Sequence, residues 1–421
     1  MALKTQERIL IVDDNRALAK LIARKMESNV DMIVDVAHSF SQAQDLIDEH
    51  GENYFIALLD LNLPDAPDGE IVDYVLSKNI LVIVLTGSID VQTKESFIHK
   101  PIVDYVYKGN IADVNYIFNT VNRLSKNRGV GVMVVDDSQP MRTAIKNILK
   151  SQLFDVYVAA HGEEAMNYFE QYKNIKLVLT DYKMPVMDGL ELTKNLREKY
   201  PKSELGIIVF TATDDEGAAA TFLKSGANDF IIKPFGREEL IVRINNHIEN
   251  IENIELITNF ANRDFLSGLY NRRYFMSSAR EYIQSIKNST ESFAIATIDI
   301  DHFKRINDTY GHDIGDEAIK FISHILLDSC KGRDLVARFG GEEFCMLLKN
   351  ISAEDAVKFF VRLRTTIASK EFVVDNVSLK MTASIGVCIG DTKTELSMLL
   401  SRTDKALYKA KEGGRNRVEM I

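Results

Sequence analysis

The chain has 421 residues, more than one hydrophobic core usually organises, so about two to four domains are expected. Hydrophobic residues at 46% and charged residues at 27% form an ordinary globular composition, which excludes global disorder. The net charge of −10 argues against a general nucleic-acid-binding surface but leaves room for a small basic pocket. The three cysteines, Cys330, Cys345 and Cys388, are widely spaced with no C-x-x-C pair, so buried or neutral thiols in a reducing compartment are expected. The opening "MALKTQERILIVDD" lacks a signal-peptide pattern and the run "ILVIVLT" is too short to cross a bilayer. A cytoplasmic protein without a membrane segment is the expectation.

In chain order, the first feature is an internal repeat. "RILIVDDNRALAKLIARKM" near the start returns as "GVMVVDDSQPMRTAIKNIL" from Gly131, each an apolar run ending in two aspartates before a helical pattern. "ALLDLNLPDAPDG" returns as "LVLTDYKMPVMDG", "VIVLTGS" as "IIVFTAT", and "DYVYKG" as "DFIIKP". Strands alternating with helical segments at this spacing imply a parallel sheet covered by helices, with ligands gathered at the carboxyl ends of the strands. Asp13, Asp14, Asp60, Thr86 and Lys108 fall at such ends in copy one, and Asp136, Asp137, Asp181, Thr211 and Lys233 in copy two. Three carboxylates on one rim repel without a cation, and hard oxygen ligands favour Mg²⁺. An aspartate beside that metal can attack phosphorus, with the threonine and lysine touching the phosphoryl oxygens.

These residues resemble the receiver domains of bacterial two-component response regulators, which are doubly wound (βα)5 folds. The resemblance implies domains at about residues 1–125 and 129–250, with Asp60 and Asp181 accepting phosphate from a histidine kinase or phosphotransfer protein. It also implies one Mg²⁺ or Mn²⁺ per receiver, Thr86 and Thr211 as phosphoryl sensors, and Tyr105 and Phe230 as switch aromatics. A receiver fold that never turns over phosphate is the alternative. Copy two carries the whole signature including Pro234; copy one has Gly109 where the family usually has proline.

A helical linker is expected over residues 237–262. Ile241, Ile244, Ile248 and Ile251 recur at spacings of three and four, and Ile254 and Ile257 continue the stripe with a slipped register. Such a seam suits pairing between helices, or packing of the helix on its own receiver.

From about residue 260 the pattern becomes α+β: an alternating strand "SFAIATIDID", an amphipathic helix, the hairpin "LVARFGGEEFCMLL", a helix near Ala353 to Ile367, one strand "LKMTASIGVCIG" and a last helix "DKALYKAKEGGRN". The hairpin turn is explained by Gly340 and Gly341, which reach the positive φ angles that tight turns need. Strand period places Asp299 and Asp301 on one face, so that if this strand lies beside the hairpin, three or four carboxylates with Glu342 and Glu343 crowd one edge. Divalent cations relieve that repulsion and attract a nucleoside triphosphate, whose charge Lys304, Lys411 and Arg415 offset. Taken singly, each of these charges reads as a solvated surface group.

The blocks "DFLSGLYNRR", "DIDHFKRINDTYGHDIGDE", "RFGGEEF", "TASIGV" and "DKALYKAKEGGRN", in this order over residues 260–421, resemble the GGDEF diguanylate cyclases, here in a GGEEF form. The whole layout resembles a PleD-type response regulator with a nucleotidyl-cyclase-like output domain. The resemblance implies condensation of two GTP into cyclic di-GMP and two pyrophosphate by a homodimer. Asp299, Glu342 and the Ile300 carbonyl would hold two Mg²⁺ or Mn²⁺, and Glu342 with Glu343 would assist deprotonation of the ribose 3′-hydroxyl. Asn307 and Asp316 would recognise guanine, His312 would contact substrate, and Gly340 and Gly341 would let the backbone approach the phosphates. Lys304, Lys411 and Arg415 would neutralise the triphosphate. A catalytically silent GTP-binding adaptor is the rival reading, disfavoured by the retained Asp299, Lys304, Glu342 and Glu343. A transcription factor lacks any helix-turn-helix segment here.

One departure has a measurable consequence. The family's R-x-x-D product-inhibition motif reads "KGRD", with Lys331 at the arginine position and Asp334 retained. Lysine does not reproduce the bidentate fork of arginine. Product inhibition through this site is expected to be weak or absent, so Asp334→Ala should leave the cyclic di-GMP inhibition constant unchanged. Tight product binding that Asp334→Ala abolishes would overturn this.

Overall fold

The computed structural model describes residues 6–87, 100–108, 111–212, 218–287, 289, 291–330, 332, 334–374 and 377–421; Gly109 and Lys331 lie outside the described residues. The chain divides into two compact units, residues 1–254 and 255–421.

The first unit holds both copies of the repeat. Copy one runs β1 (Arg8–Val12), α1 (Arg16–Glu27), β2 (Ile33–Ala37), α2 (Phe40–His50), β3 (Tyr54–Asp60), α3 (Glu70–Ser77), β4 (Leu81–Thr86), β5 (Asp104–Tyr107) and α4 (Ile111–Asn127). Copy two runs β6 (Gly131–Val135), α5 (Gln139–Ser151), β7 (Asp155–Ala159), α6 (Gly162–Gln171), β8 (Ile175–Asp181), α7 (Gly189–Arg197), β9 (Gly206–Ala212), α8 (Ala218–Lys224), β10 (Asp229–Lys233) and α9 (Arg237–Asn262). Each copy forms a five-stranded parallel sheet, in the order β2-β1-β3-β4-β5 and, equivalently, β7-β6-β8-β9-β10. The doubly wound fold therefore appears twice. Alternation along the strands divides each core: Leu10, Val12, Ala57 and Leu59 pack with Ile71 and Val75, whereas Ile9, Ile11, Ile56 and Leu58 pack with Ile22, Met26 and Val121. With both faces covered, β3 is buried at every position, as parallel sheets require.

The two copies touch through polar groups at the start of α9 and further along it. Arg237 donates from Nη2 to the Ile102 carbonyl at 2.5 Å and to Ser151 Oγ at 3.0 Å. Gln152 Nε2 donates to the Val103 carbonyl at 3.0 Å, and Asn127 donates to the Gln152 carbonyl at 2.9 Å. Arg123 grips Glu252 with two hydrogen bonds of 2.7 Å.

The isoleucine stripe on α9 has a local explanation. Leu240, Ile244 and Ile248 are buried in the copy-two core with Val132, Val134, Ile208 and Phe210, and Ile251 is also buried, while Ile257 is exposed. The first half of the stripe is thus a surface for the helix's own sheet rather than a seam between helices, and Leu240, not Ile241, begins it.

The second unit is built from β11 (Tyr270–Asn271), α10 (Arg272–Ser285), β12 (Phe293–Ile300), α11 (Phe303–Tyr310), α12 (His312–Ser329), β13 (Leu335–Gly340), β14 (Glu343–Lys349), α13 (Ala353–Ser369), β15 (Glu371–Val374), β16 (Val377–Lys380), β17 (Ala383–Gly390), α14 (Leu396–Glu412) and β18 (Val418–Met420). Its mixed sheet has the order β11-β13-β14-β12-β17-β18, and β15 and β16 form a separate hairpin. Even-numbered residues of the central β12 (Ala294, Ala296, Ile298, Ile300) pack with Ile322 and Phe360 of α12 and α13. On the other face Phe293 and Ile295 pack with Phe275 and Leu399 of α10 and α14. Two expected elements differ. The stretch expected as one strand is split into β16 and β17 because Thr382, between them, is turned to Asp301, and α14 begins eight residues before the expected start at Asp404.

Cys345 and Cys388 are buried, Cys330 is half-buried, and none is in a disulfide. Burial pushes all three thiols up, Cys330 to about 12. Among the described residues no helix is long and apolar enough to cross a membrane.

The burial along α9 has a direct test. Ile248→Ala should destabilise the copy-two core by roughly 2–5 kcal/mol, whereas Ile257→Ala should stay within about 0.5 kcal/mol. Urea unfolding of the full chain followed by circular dichroism reads both.

Candidate functional site

Both copies of the repeat bring their marked residues to one rim. In copy one Asp13 is fully buried at the end of β1, Asp60 is buried at the end of β3, and Asp14 is exposed. Lys108 reaches across to Asp13 Oδ2 at 2.9 Å and also bonds Asp60. In copy two Asp136 is buried, Asp181 is half-buried, and Lys233 lies 3.0 Å from Asp136 and 2.7 Å from Asp181. Carboxylate oxygens of Asp13, Asp14 and Asp60, and of Asp136, Asp137 and Asp181, lie within 4.8 Å of one another. Each trio is an all-oxygen donor set of the kind that suits a hard divalent ion.

Burial pushes the Asp13 and Asp181 carboxyls above their ordinary range, the paired lysine pulls down, and the neighbouring aspartate pushes up again. Lys233 is held above its ordinary value: burial works against its charge, and the bonds to Asp181 and Asp136 outweigh that. Thr86 and Thr211 are buried at the ends of β4 and β9, and Tyr105 and Phe230 stand on β5 and β10. The Tyr105 hydroxyl is buried with no hydrogen-bond partner among the described residues. The Lys233–Pro234 bond is cis.

In the second unit β12 lies between β14 and β17, and register places Asp299 opposite Glu343. The Ile300 amide donates to the Glu342 carbonyl at 3.4 Å, which fixes the hairpin turn beside the strand end. Gly340 and Gly341 have φ of 144° and 52°, so the turn needs glycine for its own backbone. Asp299 is buried and paired with Lys411 at 2.8 Å. Burial pushes its carboxyl upward, Lys411 opposes this, and the charges of Glu342 and Glu343 add to the rise. A buried carboxylate under such pressure, flanked by two more acids and a backbone carbonyl, is a donor set that fits a divalent cation.

The expected crowd of three or four carboxylates is smaller than the sequence implies. The Asp301 carboxylate is engaged by Thr382, Ser384 and the Asn416 amide. Asp299, Glu342 and Glu343 do not close to the spacing seen in the two aspartate trios, and Asp299 is paired with Lys411.

Lys304 is exposed on α11, whose Asn307 carries a buried Oδ1 with no partner among the described residues. Gly315 on α12 lies against that atom: a Cβ there would sit 1.9 Å from Asn307 Oδ1. The neighbouring Asp316 and His312 are exposed at the start of the same helix. Arg415 is exposed in the turn after α14. Asp334 accepts the Lys349 amide at 3.0 Å and lines a cleft of about 390 Å³ with Lys349, Lys358 and Arg362.

Sequence reasoning missed Arg338. Its Nε donates to the Gly341 carbonyl at 2.9 Å and its Nη1 to Asp264 at 2.9 Å, tying the glycine turn to the start of the unit. The signal lay in the first and third family-like blocks, each of which carries one partner.

Residues 9–115 and 132–245 each match the response regulator receiver domain, and residues 261–417 match the diguanylate cyclase GGDEF domain. The chain belongs to the response regulators, as a diguanylate cyclase with two receiver domains before its GGDEF domain. Its organisation is PleD-type: Response regulator PleD of Caulobacter vibrioides is 28% identical over 98% of both chains. Diguanylate cyclase A of Treponema denticola is 36% identical over 41% of this chain and 47% of its own length. A crystal structure named as a two-component system response regulator/GGDEF domain protein aligns with a TM-score of 0.55 and 36% identity, covering 59% of this chain and all 100% of that one.

The Arg338 clamp predicts that Arg338→Met, which removes both of its charge-assisted hydrogen bonds, lowers cyclic di-GMP formation at least about tenfold, with the far-UV dichroism unchanged.

Proposed function

We propose that the chain condenses two GTP into cyclic di-GMP and two pyrophosphate, under the control of phosphoryl transfer to its receivers. The observation that carries this is the buried Asp299 at the end of β12, opposite Glu343 and 2.8 Å from Lys411. Bound Mg²⁺ or Mn²⁺, two per site on Asp299, Glu342 and the Ile300 carbonyl, would favour the ribose alkoxide and offset charge on the phosphates.

The Asn307 side-chain amide, whose Oδ1 is buried without a partner among the described residues, and the exposed Asp316 carboxylate would together meet the guanine edge. His312 stands at the N-terminus of the helix that bears Asp316 and contacts the same nucleotide. Gly340 and Gly341 form the turn beside the phosphates. Glu342 and Glu343 take the proton of the 3′-hydroxyl as its oxygen bonds the α-phosphorus of the facing GTP. The bond from that phosphorus to the β-phosphate oxygen breaks and pyrophosphate leaves. Lys304, Lys411 and Arg415 offset the charge that gathers on the phosphates. A second, symmetric attack closes the ring. Each domain holds one GTP, so two copies of the chain must face each other.

In the receivers, Asp60 and Asp181 take a phosphoryl group from a histidine kinase or phosphotransfer protein. Each aspartate trio would hold one Mg²⁺ or Mn²⁺. Lys108 and Lys233 then exchange a carboxylate partner for phosphoryl oxygens, Thr86 and Thr211 follow, and Tyr105 and Phe230 respond. The population of dimers with facing half-sites rises. Such signalling belongs to the cytoplasm.

Two measurements test this reading. Purified protein with GTP and Mg²⁺ should form cyclic di-GMP, faster with beryllofluoride, and not at all with excess EDTA or in Glu342→Gln; no product under any condition overturns it. Asp60→Asn and Asp181→Asn should each reduce the beryllofluoride response, and a response unchanged in both would overturn the control scheme alone. Gly315→Ala, which drives a methyl into Asn307 Oδ1, should raise KM for GTP about tenfold.

A further inference from the structure

The face of β12 toward α14 is stitched to the C-terminal segment at every second residue. Thr297 Oγ1 meets Thr403 Oγ1 at 2.7 Å, Asp299 meets Lys411 at 2.8 Å, and Asp301 accepts the Asn416 amide at 2.9 Å. The first contact is ordinary packing polarity and the second belongs to the active site. The third has no role in the chemistry above, although it consumes a buried carboxylate two residues from Asp299.

Asp301 is 5% exposed and its two oxygens accept from three protein donors: Ser384 Oγ at 2.6 Å, Thr382 Oγ1 at 2.7 Å and the Asn416 amide. The turn it holds is unusual. Gly414, Arg415 and Asn416 have φ of 111°, 63° and 44°, three successive residues in the left-handed region, two of them not glycine. L-residues disfavour that region, so the turn persists only where its surroundings over-determine it. Four hydrogen bonds do so. The Arg415 amide donates to the Ala410 carbonyl at 3.0 Å, Asn416 N–H donates to Asp301, and Arg364 of α13 donates to the Asn416 carbonyl at 3.2 Å and to its Oδ1 at 3.0 Å. The exposed Arg415 side chain therefore springs from a backbone fixed on both sides, in the segment that follows Lys411.

We propose that Asp301 is a positioning residue for the triphosphate: it holds the 414–416 turn in its left-handed form, and so sets Arg415 beside Lys411 at the phosphate end of the substrate. This rests on the cyclase reading of the site. Arg364 does the same work from the opposite side.

The test compares binding of 3′-deoxy-GTP, which lacks the attacking hydroxyl, with binding of GMP, which lacks the outer phosphates, to the full chain in Mg²⁺. Asp301→Asn should weaken 3′-deoxy-GTP about tenfold, as expected for losing a charge-assisted hydrogen bond, and leave GMP within about twofold. Arg364→Met, a variant outside the core, should show the same selective loss. Adding Asp301→Asn to Arg415→Ala should produce no further loss, because the effect travels through Arg415. Equal weakening of both nucleotides, additive losses in the double variant, or unchanged triphosphate affinity in both Asp301→Asn and Arg364→Met would each overturn the proposal. Failure of the unsubstituted chain to bind 3′-deoxy-GTP would instead overturn the cyclase reading, and this proposal with it.

Discussion

A buried carboxylate costs several kcal/mol unless a partner of opposite charge and good hydrogen bonds meet it, and this chain accepts that cost at the end of a central strand in each of its three domains. Asp13 and Asp60 share Lys108, Asp136 and Asp181 share Lys233, and Asp299 takes Lys411. In every case the lysine arrives from a later element, so the fold must close before the charge is compensated. The sheets differ, parallel in the receivers and mixed in the cyclase, but the solution is the same. A lysine that balances acids in the absence of a phosphorylated ligand is also the group best placed to meet phosphoryl oxygens when one arrives.

The three domains use this arrangement differently. In the receivers the acids come within metal-ligating range of each other around a lysine that bonds two of them. In the cyclase one acid is paired, and the glutamates of the turn stand apart from it. Arg338 holds that turn through the Gly341 carbonyl, and Arg364 and Asp301 hold the turn that carries Arg415. The cyclase domain thus presents two glycine-containing turns, each fixed by ion pairs or charge-assisted bonds rooted in rigid elements.

Much of this was legible from residue order. The repeated βα units announce themselves through apolar runs that end in aspartates, and the hairpin through its two glycines. Strand period puts Asp299 and Asp301 on one face, but that β12 lies beside the hairpin, with Asp299 opposite Glu343, is a matter of sheet order that period does not give. Periodicity does not say what a stripe faces: Ile244 and Ile248 have the spacing of a helix pair and bury against their own sheet. Nor does it say whether a carboxylate at the right parity is free. Asp301 has the parity of Asp299, yet its donors come from 81, 83 and 115 residues further on, and only tertiary closure brings them there. The early start of α14 was available in the spacing of Leu396, Leu399 and Thr403, all buried on one side.

The polar seam between the receivers bears on how the chain can be cut. Arg237 and Glu252 belong to the copy-two helix, yet their partners include the Ile102 carbonyl and Arg123 of copy one, and the buried Gln152 is satisfied by Val103. Removing the first receiver would strand Arg237 at the start of α9, Glu252 further along it and the amide of Gln152 without the groups that now complete them. The amputated form is therefore a protein with a remodelled stem, not the same enzyme minus an input, and its basal rate is no proxy for that of the intact chain.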